Sequence, residues 1–318
     1  MFRLFPNRSL PIVATLSCCL ISTNSALASD DDDGQRSRTV NCYRSNASVQ
    51  SVIDKVKVGR DTTIFIKGFC DEHVTIVKDG ITLSGNKDGA DTIDSGLTEV
   101  TVTGAQRVQI EYLEITGPGS GVGAGEGASV TIRNSNIHDN EGDGVAVYYN
   151  SFARLEHNTI ERNGQREDEE AGIQVYQGGI VRSNGNNIAD NGYAAVEVGS
   201  VSYFRSFGGD VLLQKDCARD ELPGDGSTCG EERTVALDCY RSATCELRDT
   251  HVTGIIDTSS LSNFDARNSS VNGDFYVSGG SRLRVRDTVT GSFSVTCFDP
   301  VVSQGAVQCD ESFPPPPP

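Results

Sequence analysis

The chain has 318 residues, with 27 Lys and Arg against 44 Asp and Glu, a formal net charge of −17, and no Trp. That balance lacks the basic footprint nucleic-acid recognition needs. It also opposes unaided binding of polyanionic glycans, unless cations bridge the carboxylates.

Residues 1–28 carry Arg3 and Arg8, an apolar centre and Ala26-Leu27-Ala28 before Ser29, which reads as a secretory signal peptide. The apolar run is too short for a bilayer, so the expectation is a secreted or periplasmic protein with no membrane span. Without that segment 25 basic residues face 44 acidic ones, a net of −19. Residues 29–40, SDDDDGQRSRTV, read as a flexible acidic leader. Val49, Val52, Ile53 and Val56 then recur at spacings of 3 and 4, which predicts a short amphipathic helix able to cover the open end of a stacked fold.

A repeat follows. Aligning Ile137, Ile160 and Ile188 puts Asn140, Asn163 and Asn191 three residues on, and Val145, Ile173 and Val196 each open a short strand, at steps of about 23 and 28 residues. Earlier, Ile110 and Ile115 precede Ile132 and Ile137 by 22 residues, and later copies such as LRDTHVTG and ARNSSVNG tighten the step to 19. Apolar and polar residues alternate only within pieces of four or five, so each piece is a half-buried strand. Short strands joined by Asn and Gly corners at this period predict an all-β parallel solenoid over residues 41–300.

The pattern apolar-x-x-(Asn/Ser/Thr)-x-apolar-x-x-Asn, followed by Gly-apolar-x-apolar, resembles the right-handed parallel β-helix repeat of the pectin-lyase-like superfamily. The lead-in from Ser48 to Gly85 is similar to the capping helix and first coils of those proteins. The resemblance implies a single-stranded right-handed parallel β-helix with an N-terminal capping helix. It implies no single activity, because the fold hosts lyases, hydrolases, epimerases, esterases and non-catalytic binders. It also implies a substrate groove on the outer face of the strand after the long corner.

Alternation points Val145, Val147, Ile173, Val175, Val196 and Val198 inward and leaves two outward ladders. One runs Thr101, Gly123, Ala146, Gln174, Glu197; the other runs Thr103, Gly125, Tyr148, Tyr176, Gly199. Tyr148 and Tyr176 form a candidate platform for a sugar ring, with Gln174 and Glu197 taking its hydroxyls. The bland alternative is cross-strand stacking alone. Any catalysis would fall to the same four residues, with tyrosine and glutamate as the proton-transfer pair. The corners before these strands hold Asp139, Glu141, Asp143, Glu167, Asp168, Glu169, Glu170 and Asp190, a candidate Ca²⁺ rim of hard oxygen ligands, or simply a solvated acidic edge. At the opposite corner Ser135, Asn158, Asn186, Thr250 and Ser269 are expected to bond the turn backbone.

Eight cysteines lie beyond the signal: Cys42, Cys70, Cys217, Cys229, Cys239, Cys245, Cys297 and Cys309. An even number in an exported chain suggests disulfides, and a solenoid favours neighbours: 42 with 70, 217 with 229, 239 with 245, 297 with 309. Residues 201–245 break the pattern and read as a disulfide-bearing loop insertion. Beyond it Ile256, Phe275 and Phe293 are expected inward, with Asp257, Tyr276 and Ser294 outward. Residues 301–318 read as a tail ending in polyproline.

Signatures of related enzymes are missing. The only Asp-Asp pairs lie at Asp30 to Asp33, Asp299-Pro300 is followed by Val301 rather than His, and no basic residue falls on the groove strands. His73, His138, His157 and His251 read as ordinary surface or corner residues. Three functions remain open: an exported β-helix binding polysaccharide or cell-surface glycan along one face, a Ca²⁺-assisted polysaccharide lyase or epimerase, and a structural or adhesive rod.

Overall fold

The computed structural model describes residues 36–85, 94–164, 170–214, 235–286, 295–297 and, for the backbone alone, 302–305. The unit from Gln35 onward is an all-β right-handed parallel solenoid of about ten turns. A complete coil has three strands, as in Ser129–Arg133, Asn136–His138 and Val145–Val147, hereafter the first, second and third faces. Each strand pairs in parallel with its copies above and below. Ile132 aligns with Leu155, Ile137 with Ile160 and Ile188, and Val145 with Val122 and Ile173. All eight of these inward residues are fully buried, so the core is one column of aliphatic side chains. The valines expected inward on the third face are there.

Two corners hold the coils in register by amide ladders. At the first, Ser135 N donates to Asn158 Oδ1 at 3.0 Å and Asn158 N to Asn186 Oδ1 at 2.8 Å, and the series continues into Asp210, which accepts from Asn186 N at 2.7 Å. At the second, Asn140, Asn163 and Asn191 stack side chain to side chain at 2.7 and 3.0 Å. Buried turn backbone has no water to bond, and these amides supply the missing partners.

The capping helix is short, Val49–Asp54, and buries Val49 and Ile53. Ser48 caps its start, accepting from Ser51 N at 3.0 Å, and Glu72 accepts from the free Val49 and Gln50 N–H groups. Lys78 Nζ donates to the last carbonyls, Ile53, Asp54 and Val56, at 2.8–3.0 Å. Orphan groups at both helix ends are thus satisfied by side chains of opposite, dipole-matched charge from the adjoining coil.

Four sequence readings change. The leader, expected to be flexible to residue 40, enters the sheet at Arg36, where Arg36–Asn41 pairs with Thr62–Lys67; the open edge of the first coil offers backbone partners that composition does not foresee. The insertion expected over 201–245 is much narrower. Tyr203–Phe207, Val211–Leu213 and Val235–Cys239 take regular places on the three faces, and 215–234 lie outside the described residues. In the last coil Val295 is the residue aligned with Phe275, a two-residue slip that preserves alternation and that parity cannot detect, while Phe293 and Ser294 lie outside the described residues. The tail contributes Val302–Gly305, which pairs with Arg282–Val285.

Cys42 bonds Cys70 and Cys239 bonds Cys245, both as neighbours on the solenoid. Cys297 is also disulfide-bonded, while Cys217, Cys229 and Cys309, like the signal segment, lie outside the described residues. No helix among the described residues is long and apolar enough to cross a membrane.

Candidate functional site on the third face

Outward positions of the third face form one continuous row. Gly123, Ala146, Gln174 and Glu197 align as the sequence predicts, and the row continues through Asp238, Asp257 and Tyr276. Beside it the Tyr148 and Tyr176 rings stack at 5.8 Å between centroids and 28° between planes, with Tyr149 edge-on to Tyr148 at 5.1 Å. Both stacked rings are only partly buried. Glycine makes room for Tyr148 and, two rungs beyond Tyr176, for Tyr240: a Cβ on Gly125 would lie 2.7 Å from Tyr148 Cε2, and one on Gly199 would lie 2.5 Å from Tyr240 Cζ. Each of those two rings therefore lies over the bare backbone of the preceding rung.

Gln174 and Glu197 are adjacent and bonded, with Gln174 Nε2 donating to Glu197 Oε2 at 3.0 Å. The second carboxylate oxygen accepts from Tyr240 OH at 2.6 Å. One rung on, Asp238 accepts from Tyr193 OH at 2.8 Å. Burial pushes Asp238 up to about 7, against the Tyr193 hydrogen bond, and the Asp257 and Glu197 charges on either side add to the rise. Tyr193 and Tyr240 are held well above the usual phenol range by burial and by the carboxylates they touch. Tyr148 and Tyr176 are raised by burial as well.

Sequence reasoning placed Gln174, Glu197 and the stacked tyrosines together and missed Tyr193, Asp238 and Tyr240. A signal was present: Leu237-Asp238-Cys239 repeats Val196-Glu197-Val198 once Cys is counted as a core residue.

The candidate calcium rim comes together only in part. Asp143 is buried, accepts from Ala171 N at 2.8 Å and bonds Glu170; burial and the Glu170 charge raise it well above the usual carboxylate range. Asp139 is occupied elsewhere, between Arg162 at 3.0 Å and His138 Nδ1 at 2.6 Å, and His138 reaches on to Glu114 at 3.0 Å. Burial raises Asp139, but the Arg162 and His138 hydrogen bonds outweigh it and the carboxyl lies low. Glu167, Asp168 and Glu169 lie outside the described residues, and Glu141 and Asp190 each have a partner. Among the described residues no three His, Cys, Asp or Glu converge on a metal position, and no chemistry is routed through an ion.

Residues 40–206, more than half of the chain, match the family of the right handed β-helix region. The chain belongs to that family. No curated protein matches it in sequence. Among solved structures it is similar to ORF18 of Geobacillus virus E2, at 12% identity over 84% of this chain and 61% of that one, with a TM-score of 0.51. It is also similar to the pectate lyase Pel9A, at 13% identity over 86% and 80%, TM-score 0.49, and to the A-module of the Azotobacter vinelandii mannuronan C-5 epimerase AlgE4, at 14% identity over 81% and 95%, TM-score 0.44. The β-helix spans about three fifths of the viral chain's length. At these identities the likeness concerns the fold.

Proposed function

We propose that the third face binds a polysaccharide chain running along the solenoid axis. Sugar rings lie on Tyr148 and Tyr176, and their hydroxyls meet Gln174 and Glu197. The stacked, partly exposed tyrosine pair bordering a bonded amide and carboxylate carries this reading, since an apolar platform beside convergent polar groups is the usual composition of a sugar site. The row Glu197, Asp238 and Asp257 repels anions, so this face suits a neutral glycan. Disulfides suit an oxidising compartment outside the cytoplasm, where such glycans lie.

A glycan array identifies the ligand, and titration calorimetry with Tyr148→Ala/Tyr176→Ala tests the site. The expected result is a loss of about tenfold or more in affinity with melting unchanged, since each aromatic contact is worth on the order of 1 kcal/mol. Undiminished affinity in that variant would refute the site.

Asp238 favours a second reading, proton transfer to or from the bound glycan. A carboxyl titrating near 7 holds and releases protons at neutral pH, as a general acid or base requires. Incubation with bound glycans should then yield newly reducing ends, and Asp238→Asn should abolish them. Absence of turnover across pH 5–9 leaves the binding reading alone.

A further inference from the structure

The first face has the opposite charge. Its outward positions from Phe152–Glu156 to Arg282–Arg286 carry eight arginines and three carboxylates, Glu156, Glu246 and Asp265, although the whole chain has a net charge of −17. Arg154, Arg182 and Arg205 occupy consecutive rungs of one row. Arg248, Arg267 and Arg286 do the same in the next. Strand spacing sets such neighbours about 4.8 Å apart at the backbone, where like charges directly opposite one another destabilise a sheet.

The first row is only partly neutralised. Arg154 pairs with Glu156 at 2.6 Å and Arg205 with Glu246 at 3.5 Å. Between them Arg182 makes no ion pair among the described residues and lies over the Phe152 ring at 5.7 Å. Beside the arginines runs a partly exposed apolar row, Phe152, Ile180 and Tyr203, aligned rung for rung.

We propose that this first face binds a linear acidic polysaccharide with about one carboxylate per sugar. The guanidinium forks take its carboxylates and Phe152, Ile180 and Tyr203 take its ring faces. Arg matches a carboxylate bidentately, the arginine row repeats along the axis as such a chain does, and the apolar row supplies stacking that anions alone would not need. Double-stranded nucleic acid fits less well, because its charge density of about one per 1.7 Å meets the repulsion of the acidic remainder. The proposal is independent of the third face, whose residues lie on a different ladder.

The test uses fluorescence anisotropy of a labelled oligouronate on the intact protein, with a neutral oligoglucoside of equal length as control. Binding should weaken as salt rises. Arg154→Gln/Arg182→Gln/Arg205→Gln should cost tenfold or more in affinity and flatten the slope of log affinity against log salt by about two. Replacing the same three by Lys should restore part of the affinity, since charge returns without the fork. Tyr148→Ala/Tyr176→Ala should leave this binding intact. Arg182→Gln alone should act in the same direction, and it removes no ion pair on which folding could depend. Unchanged affinity in the triple Gln variant would overturn the proposal, as would equal displacement by a single-stranded oligonucleotide of the same charge. A salt-reversible rise in mass by light scattering, lost in the triple variant and seen without oligouronate binding, would overturn it in favour of contact between copies.

Discussion

Asn163 shows how much a single side chain contributes to this fold. Its Nδ2 donates to Ile137 O at 3.1 Å and to Asn191 Oδ1 at 3.0 Å, while its Oδ1 accepts from Asn140 Nδ2 at 2.7 Å, all in the buried corner. Asn163→Ala strands those partners where water does not reach, and should cost about 2–4 kcal/mol. Urea unfolding reads the loss directly, and a cost below about 0.5 kcal/mol would mean that water replaces the amide. Asp238 has the opposite effect on stability at neutral pH. Between its unfolded value near 3.9 and its folded value of about 7, the folded chain keeps a proton that the unfolded chain has lost. Rising pH therefore lowers stability through that window, and the full penalty is present above 7. Asp238→Asn keeps an acceptor for Tyr193 and removes the charge. It should stabilise the solenoid by on the order of a few kcal/mol at pH 8, with the gain vanishing towards pH 4. A gain independent of pH would show that the carboxyl titrates normally.

At the scale of elements, outward glycine and inward valine are complementary parts of one strand design. Gly125 leaves room for the Tyr148 ring against its backbone, and a Cβ there would meet Cε2 at 2.7 Å. Gly125→Ala should tilt that ring, weaken glycan binding several-fold in calorimetry and leave the melting temperature nearly unchanged, because the core side of the strand is untouched. Strand parity was legible in sequence because burial on one face repeats every second residue, which is why Val145, Ile173 and Val196 were found with their outward neighbours. What parity cannot register was lost. Val295 and Phe293 share parity, and the Leu237-Asp238-Cys239 strand was hidden by its cysteine, taken as a loop staple although Cys239 is a buried core residue. Arg154, Arg182 and Arg205 lie 28 and 23 residues apart, so their alignment exists only once the coils stack, and a net charge averages it away.

For the solenoid as a whole, each coil touches only its neighbours, so stability is a chain of nearest-neighbour terms and the ends are the weak points. The first coil is secured twice. Val49 and Ile53 cover its core, and the Cys42–Cys70 disulfide closes a separation of 28 residues. A loop of that length is worth about 3.5 kcal/mol in restricted unfolded chain. Cys42→Ala/Cys70→Ala should therefore loosen the N-terminal coils first. Hydrogen exchange should quicken in Thr62–Ile76 and Ile81–Ser84, while Ala171–Val175 and Ala194–Val198, several coils away, keep their protection. Adding Ile53→Asp should extend the fraying by opening the cap, since an unpaired charge cannot stay in the apolar column. Equal loss of protection in every strand would instead show a solenoid that opens only as a single cooperative unit, with the cap and the disulfide acting on all coils at once.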